Sequence, residues 1–412
     1  MAARIAASRA RVPFAAFTLL ILPTLFLQAQ APASLTLGES MVRAMESNRT
    51  VLAARSARNI STAELTAAGQ RPNPELSVEA ERDTPHWSFG AGVPIEVGGK
   101  RGARIGVAQA ALATNDAELE RVIAEVRGDV RRAYYQVVAA SRNVEIAEEL
   151  AQIAVRARDA ADLRFKTGAA PRLEALQAAL ILAEAQNDVV ARRGTVTAAR
   201  AELNALLAFP LDASPALSDA LNSGTVPSVS AASTLALEKN AELRVLERQI
   251  EEQRARVALA RSMRHPDPVV SGALTYDAEP EFTFGWRAGA SIALPLFTTG
   301  RLEVAIADAT LNRAIAERDS RAAQVTGAVA AAVARATAAR QTLDRYDSEI
   351  LPASRLVEQM AQESYASGQS GLAALLQTVQ SAREIRQRAL QAALDYQLAL
   401  ADLERAMGTP LT

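Results

Sequence analysis

Few side chains in this sequence could do chemistry on a bound molecule. Cysteine is absent, which removes disulfides, thiol nucleophiles, cysteine zinc sites and lipid attachment at an N-terminal cysteine. The two histidines, His86 and His265, fall in a loop and at the start of a strand, and read as solvated or interfacial side chains. Carboxylates such as Asp162 and Glu174 lie on arginine-rich helices, where solvated ion pairs are the ordinary outcome. No glycine-rich phosphate loop follows a parallel strand, so no catalytic residue, resident metal or cofactor is expected. Glu174 has two readings. It opens a helix behind Pro171, where an acid suits the helix dipole, and can be a surface charge paired with Arg172 or a neighbour. In a ring of several copies, one such acid per copy would favour cations.

The elements that must position these residues begin with an export signal. Arg4, Arg9 and Arg11 precede an apolar run over 12–27, and small residues follow around Ala29, Ala31 and Ala33. This order predicts a signal peptide over 1–33, cleaved between Ala29 and Ser34. The run is shorter than a spanning helix needs and is broken by Pro13 and Pro23. No later stretch reads as a transmembrane helix, so membrane entry would have to be by a β-barrel. The net charge of −1 argues against a nucleic-acid partner. An aromatic content of 4% beside abundant Ala, Leu, Glu and Arg points to long helices.

The mature chain is one pattern written twice. Arg71-Pro72-Asn73-Pro74 recurs as His265-Pro266-Asp267-Pro268, 194 residues later. Val93-Pro94-Ile95 and Gly99-Lys100 recur 201 residues later as Leu294-Pro295-Leu296 and Gly300-Arg301. Arg164-Phe165-Lys166-Thr167-Gly168 recurs as Ser364-Tyr365-Ala366-Ser367-Gly368, and 203–211 as 403–411, both at 200. So long a period marks a duplicated unit, not a solenoid. The expected repeats are 34–211 and 212–412, each a helix, two strands, a very long helix, a turn and a returning helix. The first repeat has helices at about 37–68, 103–165 and 172–208, and strands at 75–82 and 87–97. The second has helices at about 232–262, 302–366 and 372–407, and strands at 269–276 and 282–296.

The strand segments alternate with period two. Trp87, Phe89, Ala91 and Val93 alternate with Ser88, Gly90 and Gly92. Phe282, Phe284, Trp286, Ala288 and Ala290 alternate with Thr283, Gly285, Arg287 and Gly289. Both tryptophans of the chain lie here. Apolar-out, polar-in alternation with aromatic residues near the rim is the pattern of an outer-membrane barrel. Trp87, Phe89, Phe282, Phe284 and Trp286 are then lipid-facing. Four strands cannot close a barrel, since the smallest membrane barrels use about 8; three copies would supply twelve. In the helices, Ile105, Leu112, Leu119 and Val126 repeat at seven, and Val130, Val137 and Val144 repeat at seven after a four-residue step. This is coiled-coil spacing with a stutter, and Pro352 should bend the second long helix.

These landmarks together resemble the TolC family of trimeric outer-membrane efflux proteins, over the whole mature chain. Those that carry the resemblance are the Pro-x-Pro segment before each strand pair, the Pro-then-Gly segment before each long helix, and the aromatic-x-x-Gly turn between helices. Pro94-Ile95-Glu96-Val97-Gly98-Gly99-Lys100-Arg101 is similar to the branch serving heavy-metal exporters of the cobalt–zinc–cadmium type. The resemblance implies a mixed α/β, mainly helical membrane protein: a homotrimer in a Gram-negative cell, with a twelve-stranded barrel in the outer-membrane lipid and a helical tunnel in the periplasm. Gly168, Ala169, Ala170, Gly368, Ser370 and Gly371 would form periplasmic tips that touch an adaptor (membrane fusion) protein, beneath an inner-membrane resistance-nodulation-division pump. Ala374 and Gln377 stand where the family carries an acidic gate, and Glu174 keeps an acid on the first hairpin. These three residues are the pore-constriction candidates. The implied function is a passive exit duct, for heavy-metal cations. The alternatives are a drug-efflux or type I secretion duct and, in another class, a secreted coiled-coil scaffold without a pore.

Overall fold

The computed structural model describes residues 34–280 and 282–411; the expected signal segment, 1–33, lies outside them. The chain begins with β1 (Ser34–Leu35), α1 (Leu37–Ser47) and α2 (Arg49–Ala68). The strand pair β2 (Glu75–Ala80) and β3 (Trp87–Pro94) leads into α3 (Lys100–Lys166) and α4 (Arg172–Leu207). The second half follows as β4 (Ala216–Leu217), α5 (Val229–Lys239), α6 (Ala241–Ser262), β5 (Pro268–Ala278) and β6 (Phe282–Ile292). It continues through α7 (Arg301–Arg345), a π-helical turn (Tyr346–Ile350) and α8 (Leu351–Ala366), and ends in α9 (Leu372–Met407). At 67 residues, α3 spans on the order of 100 Å. Among the described residues no helix is long and apolar enough to cross a membrane.

Three features depart from the expected order. The opening helix of each half is two helices, broken at Asn48 and Asn240. Each Asn caps the second helix by accepting from two of its N–H groups (Thr50 and Val51; Glu242 and Leu243). Each also donates to a late carbonyl of the returning helix, Asn48 to Leu206 at 2.9 Å and Asn240 to Ala406 at 2.8 Å. An asparagine that caps and cross-links is worth more at a break than inside a helix. Second, Pro352 does more than bend its helix: the missing N–H is absorbed by the π turn just before it. Third, β1 and β4 pair in parallel, tying the start of the chain to the link between halves.

The elements form rows that are open at both ends. The sheet runs β2-β3-β5-β6, all antiparallel. Beneath it α3 packs between α2 and α6, and α6 against α7; further down α3 packs between α4 and α9, and α9 against α8. Each half has its own core. Val51, Val130, Tyr134, Val137 and Leu203 centre the first, and Leu243, Val329, Tyr396, Leu400 and Leu403 the second. A third cluster near the turns joins the halves through Leu150, Ala161, Ala178, Tyr365 and Leu375. The heptad residues Val126, Val130 and Val137 are buried.

Candidate functional site

The strand registers set the apolar residues in unbroken rows across the sheet. Val78, Phe89, Leu274 and Trp286 stand opposite one another, and Ala80, Trp87, Tyr276 and Phe284 form the next row. On the other face lie Ser77, Gly90, Ala273 and Arg287, then Glu79, Ser88, Thr275 and Gly285. The apolar face is bare: Trp286 is 77% and Phe284 62% exposed, and Trp87, Phe89 and Phe282 are exposed too. No helix covers it. A bare apolar face of this size needs lipid or protein against it, and the polar face, lined by small residues and Glu79, suits water.

Where the sheet meets the helices, the octapeptide 94–101 is a joint between the two halves. The Lys100 ammonium, almost fully buried, pairs with Asp267 at 2.7 Å. The Val97 N–H donates to the same carboxylate at 2.9 Å. Burial pushes Asp267 up, but Lys100 and the Val97 N–H outweigh it and hold the carboxyl below its usual range. Gly98 is left-handed, with φ +70°, and a Cβ there would sit 2.6 Å from the His265 ring. Arg104 grips Glu96 and donates to Gln70 O at 3.0 Å; Arg101 donates to Gly69 O at 2.7 Å. His265 is therefore an interfacial side chain that helps fix this joint. His86 lies beside the Glu81 carbonyl at 3.3 Å. The contacts of Glu96, Val97, Gly98, Lys100 and Arg101 described here are all with other parts of the chain.

At the opposite end both helical hairpins turn identically. Gly168 and Gly368 have φ of +74° and +73°, which only glycine adopts without strain. Ala169 and Ala170 N–H both donate to Arg164 O, and Gln369 and Ser370 N–H both donate to Ser364 O. The six tip residues thus form two matching, glycine-closed turns. Glu174, just inside, is not paired with Arg172. Its carboxylate lies 3.6 Å from the Arg164 guanidinium and accepts from the Tyr365 hydroxyl at 3.4 Å. Arg164 also stacks 5.6 Å from the centre of the Tyr365 ring. Burial, then the Glu174 carboxylate, push the Tyr365 phenol above its usual value. Ala374, the equivalent of Glu174 in the second half, and Gln377 lie one turn apart on an exposed face of α9. Arg164 and Tyr365 were missed as functional partners. The available signal was a tyrosine at the place where the first half carries Phe165, since a buried tyrosine hydroxyl usually finds a partner. Among the described residues no cluster of three or more His, Asp or Glu is placed to hold a metal ion.

This architecture has known counterparts. The chain is 30% identical over 274 residues to the cobalt-zinc-cadmium resistance protein CzcC of Cupriavidus metallidurans, a match that spans 65% of either chain. Its fold matches crystal structures of CusC (TM-score 0.76, 17% identity, 90% of this chain and 92% of that one). It also matches the open-state outer membrane channel MtrE of Neisseria gonorrhoeae (TM-score 0.74, 18% identity, 91% and 89%). The family model described as outer membrane efflux protein matches twice, over residues 41–208 and 232–409. With both halves matched, the chain belongs to the outer membrane efflux protein family, whose members are outer-membrane channels and not enzymes.

Proposed function

We propose that three copies of this chain close a twelve-stranded barrel above a helical tunnel, and that the assembly is a passive exit duct for heavy-metal cations. The observation that carries this reading is that every level of the subunit is a row with two free ends: β2 and β6 in the sheet, α2 and α7 below it, α4 and α8 nearest the turns. Strand edges left open in lipid would cost several kcal/mol for each unpaired group, and a ring of copies removes them. Three four-stranded sheets make a barrel of ordinary size. The repeats 34–211 and 212–412 are the units of the wall. Trp87, Phe89, Phe282, Phe284 and Trp286 face lipid.

In this reading the turns around Gly168 and Gly368 reach into the periplasm and meet an adaptor, which links the duct to an inner-membrane pump. Glu174, Ala374 and Gln377 border the narrow end. In this reading the duct is passive and the pump supplies the work. The metal assignment rests on the likeness to the cobalt-zinc-cadmium resistance protein. Two measurements test the proposal. Native mass of the detergent-extracted protein should be that of a trimer. Deleting the gene should lower tolerance to divalent cobalt, zinc or cadmium more than tolerance to antibiotics; the opposite pattern would make it a drug-efflux duct.

A further inference from the structure

A small cavity lies between the two hairpins of one subunit, within the core cluster nearest the turns. Its volume is about 110 Å³, and its walls are Leu150, Ala154 and Ala157 of α3, Ile181 of α4, and Leu375 and Val379 of α9. It persists because the alanine methyl groups are too short to reach across a joint of three helices, where larger side chains would close-pack. An apolar cavity of about 150 Å³ takes up benzene, so this one has room for about one ring. The polar residues of its lining are Glu184, Gln380 and Arg383. Glu184 and Gln380 are exposed, which puts the mouth on their side.

The charges at this mouth do not balance pair by pair. Arg383 is committed to Asp188, which also takes Arg192 at 3.2 Å. Among the described residues Glu184 has no ion pair. The repeat shows why. Moved by the 200 residues that relate Gly168 to Gly368, Glu184 becomes Glu384, which pairs with Arg388 one turn on at 3.2 Å. One turn on from Glu184 stands Asp188, an acid where the second half has a base. An unpaired carboxylate is thus left at the mouth of an apolar cavity, with the side-chain amide of Gln380 in the same lining. We propose that the cavity binds a small organic amine, with an apolar body of about one ring inside and its ammonium at the mouth, donating to Glu184 and to the Gln380 amide oxygen. The walls supply affinity by burying the ring, and the carboxylate selects the charge of the head group. Because α3 and α4 belong to one half and α9 to the other, an amine seated there ties the two hairpins together. One subunit carries the whole site, whatever the assembly and whatever passes through it.

Benzylamine, benzyl alcohol and benzoate share a ring and differ in the charge of the head group, which makes them the probes. Each is taken to equilibrium by dialysis against the detergent-extracted protein, with protein-free detergent as the blank. Benzylamine should bind saturably and about fivefold more tightly than benzyl alcohol, the scale of one rim-exposed ion pair. Benzoate should bind more weakly than either. Ala157→Leu fills the cavity and should weaken benzylamine roughly tenfold or more, because the ring's burial is lost. Ala185→Leu fills it from the less covered α4 and serves the same purpose if the first variant folds poorly, as judged by circular dichroism. Glu184→Gln should leave the affinity for the alcohol unchanged and bring that for the amine down to it. Absence of saturable binding to wild type, or unchanged benzylamine binding in a folded cavity-filling variant, would overturn the site. Equal affinities of wild type for amine and alcohol, or an amine preference that survives Glu184→Gln, would overturn the role of Glu184 and with it the amine.

Discussion

Lys100 Nζ lies 2.7 Å from Asp267 Oδ2, so the first half's exit from the sheet is pinned to the second half's approach to it. The pair is shielded chiefly on the lysine side, and Asp267 also accepts from the Val97 N–H. Replacing Lys100 with Met keeps the stem's bulk and leaves a shielded carboxylate without its cation. The expected cost is about 1–3 kcal/mol, read as a lower melting temperature of the detergent-extracted protein. Asp267→Asn keeps the oxygen that Val97 uses but leaves the more deeply buried Lys100 ammonium without its counter-charge, so it should cost at least as much. A clearly smaller loss for Asp267→Asn than for Lys100→Met would mean that the ammonium does not need its partner.

The same pair sets a pH dependence. Asp267 is held below its ordinary value of 3.8 in the folded chain, so folding favours its charged form. The contribution is fully present above that ordinary value and is lost as pH falls through the lower folded value. Wild type and Asp267→Asn should therefore differ in melting temperature at pH 7, and the difference should begin to shrink only as pH falls below the ordinary 3.8. A difference that stays constant as pH falls through the acid range would put the effect in packing instead of charge.

Gly168 and Gly368 separate a folding role from a contact role. An added Cβ at either meets nothing within 4 Å in the chain itself, so alanine brings only the backbone strain of positive φ, roughly 1–2 kcal/mol. At a turn that is open to solvent the strain can be relieved locally. Gly168→Ala and Gly368→Ala should leave trimer yield and melting temperature nearly unchanged. Metal tolerance should fall if the tips meet an adaptor closely, because the new methyl group then enters that contact. Normal tolerance in both variants would leave the glycines as helix terminators only.

Phe284 tests the assignment of faces. It stands in the Ala80, Trp87, Tyr276 row and is 62% exposed. Arginine there should cost about 2–4 kcal/mol per subunit if it lies near the midplane of the bilayer. Thr283→Arg, on the opposite face, should be tolerated. The comparison is made as the yield of heat-modifiable trimer in outer-membrane fractions, and equal yields for the two variants would count against the faces.

The elements legible from sequence were those written by local signals. Strand alternation from Trp87 and from Phe282, the unbroken helix after Gly99 and the turns at Gly168 and Gly368 each depend on residues close in the chain. What was missed depends on partners far away. Asn48 and Asn240 look like ordinary helix-surface polar residues until Leu206 and Ala406 come within reach of their side chains. β1 and β4 are two residues each, too short for any period to show. The segment 94–101 was read only by its likeness to a family segment; its contacts with His265 and Asp267, some 170 residues on, could not be seen from the sequence. Glu174 was placed on the right turn of the right helix, but its partner could not be chosen, because Arg164 lies across the tip and Tyr365 on the other hairpin.

That placement decides what Glu174 should do. A free ring of three carboxylates at a narrow opening would select cations. Here the side chain is only 17% exposed, with Arg164 beside it and the Tyr365 hydroxyl on it. Each carboxylate is therefore largely offset by a guanidinium of the same subunit, and the ring carries little net field. The contact instead ties the two hairpins of one subunit together near their tips. Glu174→Gln should leave the reversal potential of reconstituted trimers in a salt gradient almost unchanged. It should raise their conductance, because the link between hairpins is weakened. Tyr365→Phe, which removes only the hydroxyl, should raise conductance in the same direction by a smaller amount. A clear loss of cation preference in Glu174→Gln, with conductance unaltered, would instead return Glu174 to the pore as a selecting charge.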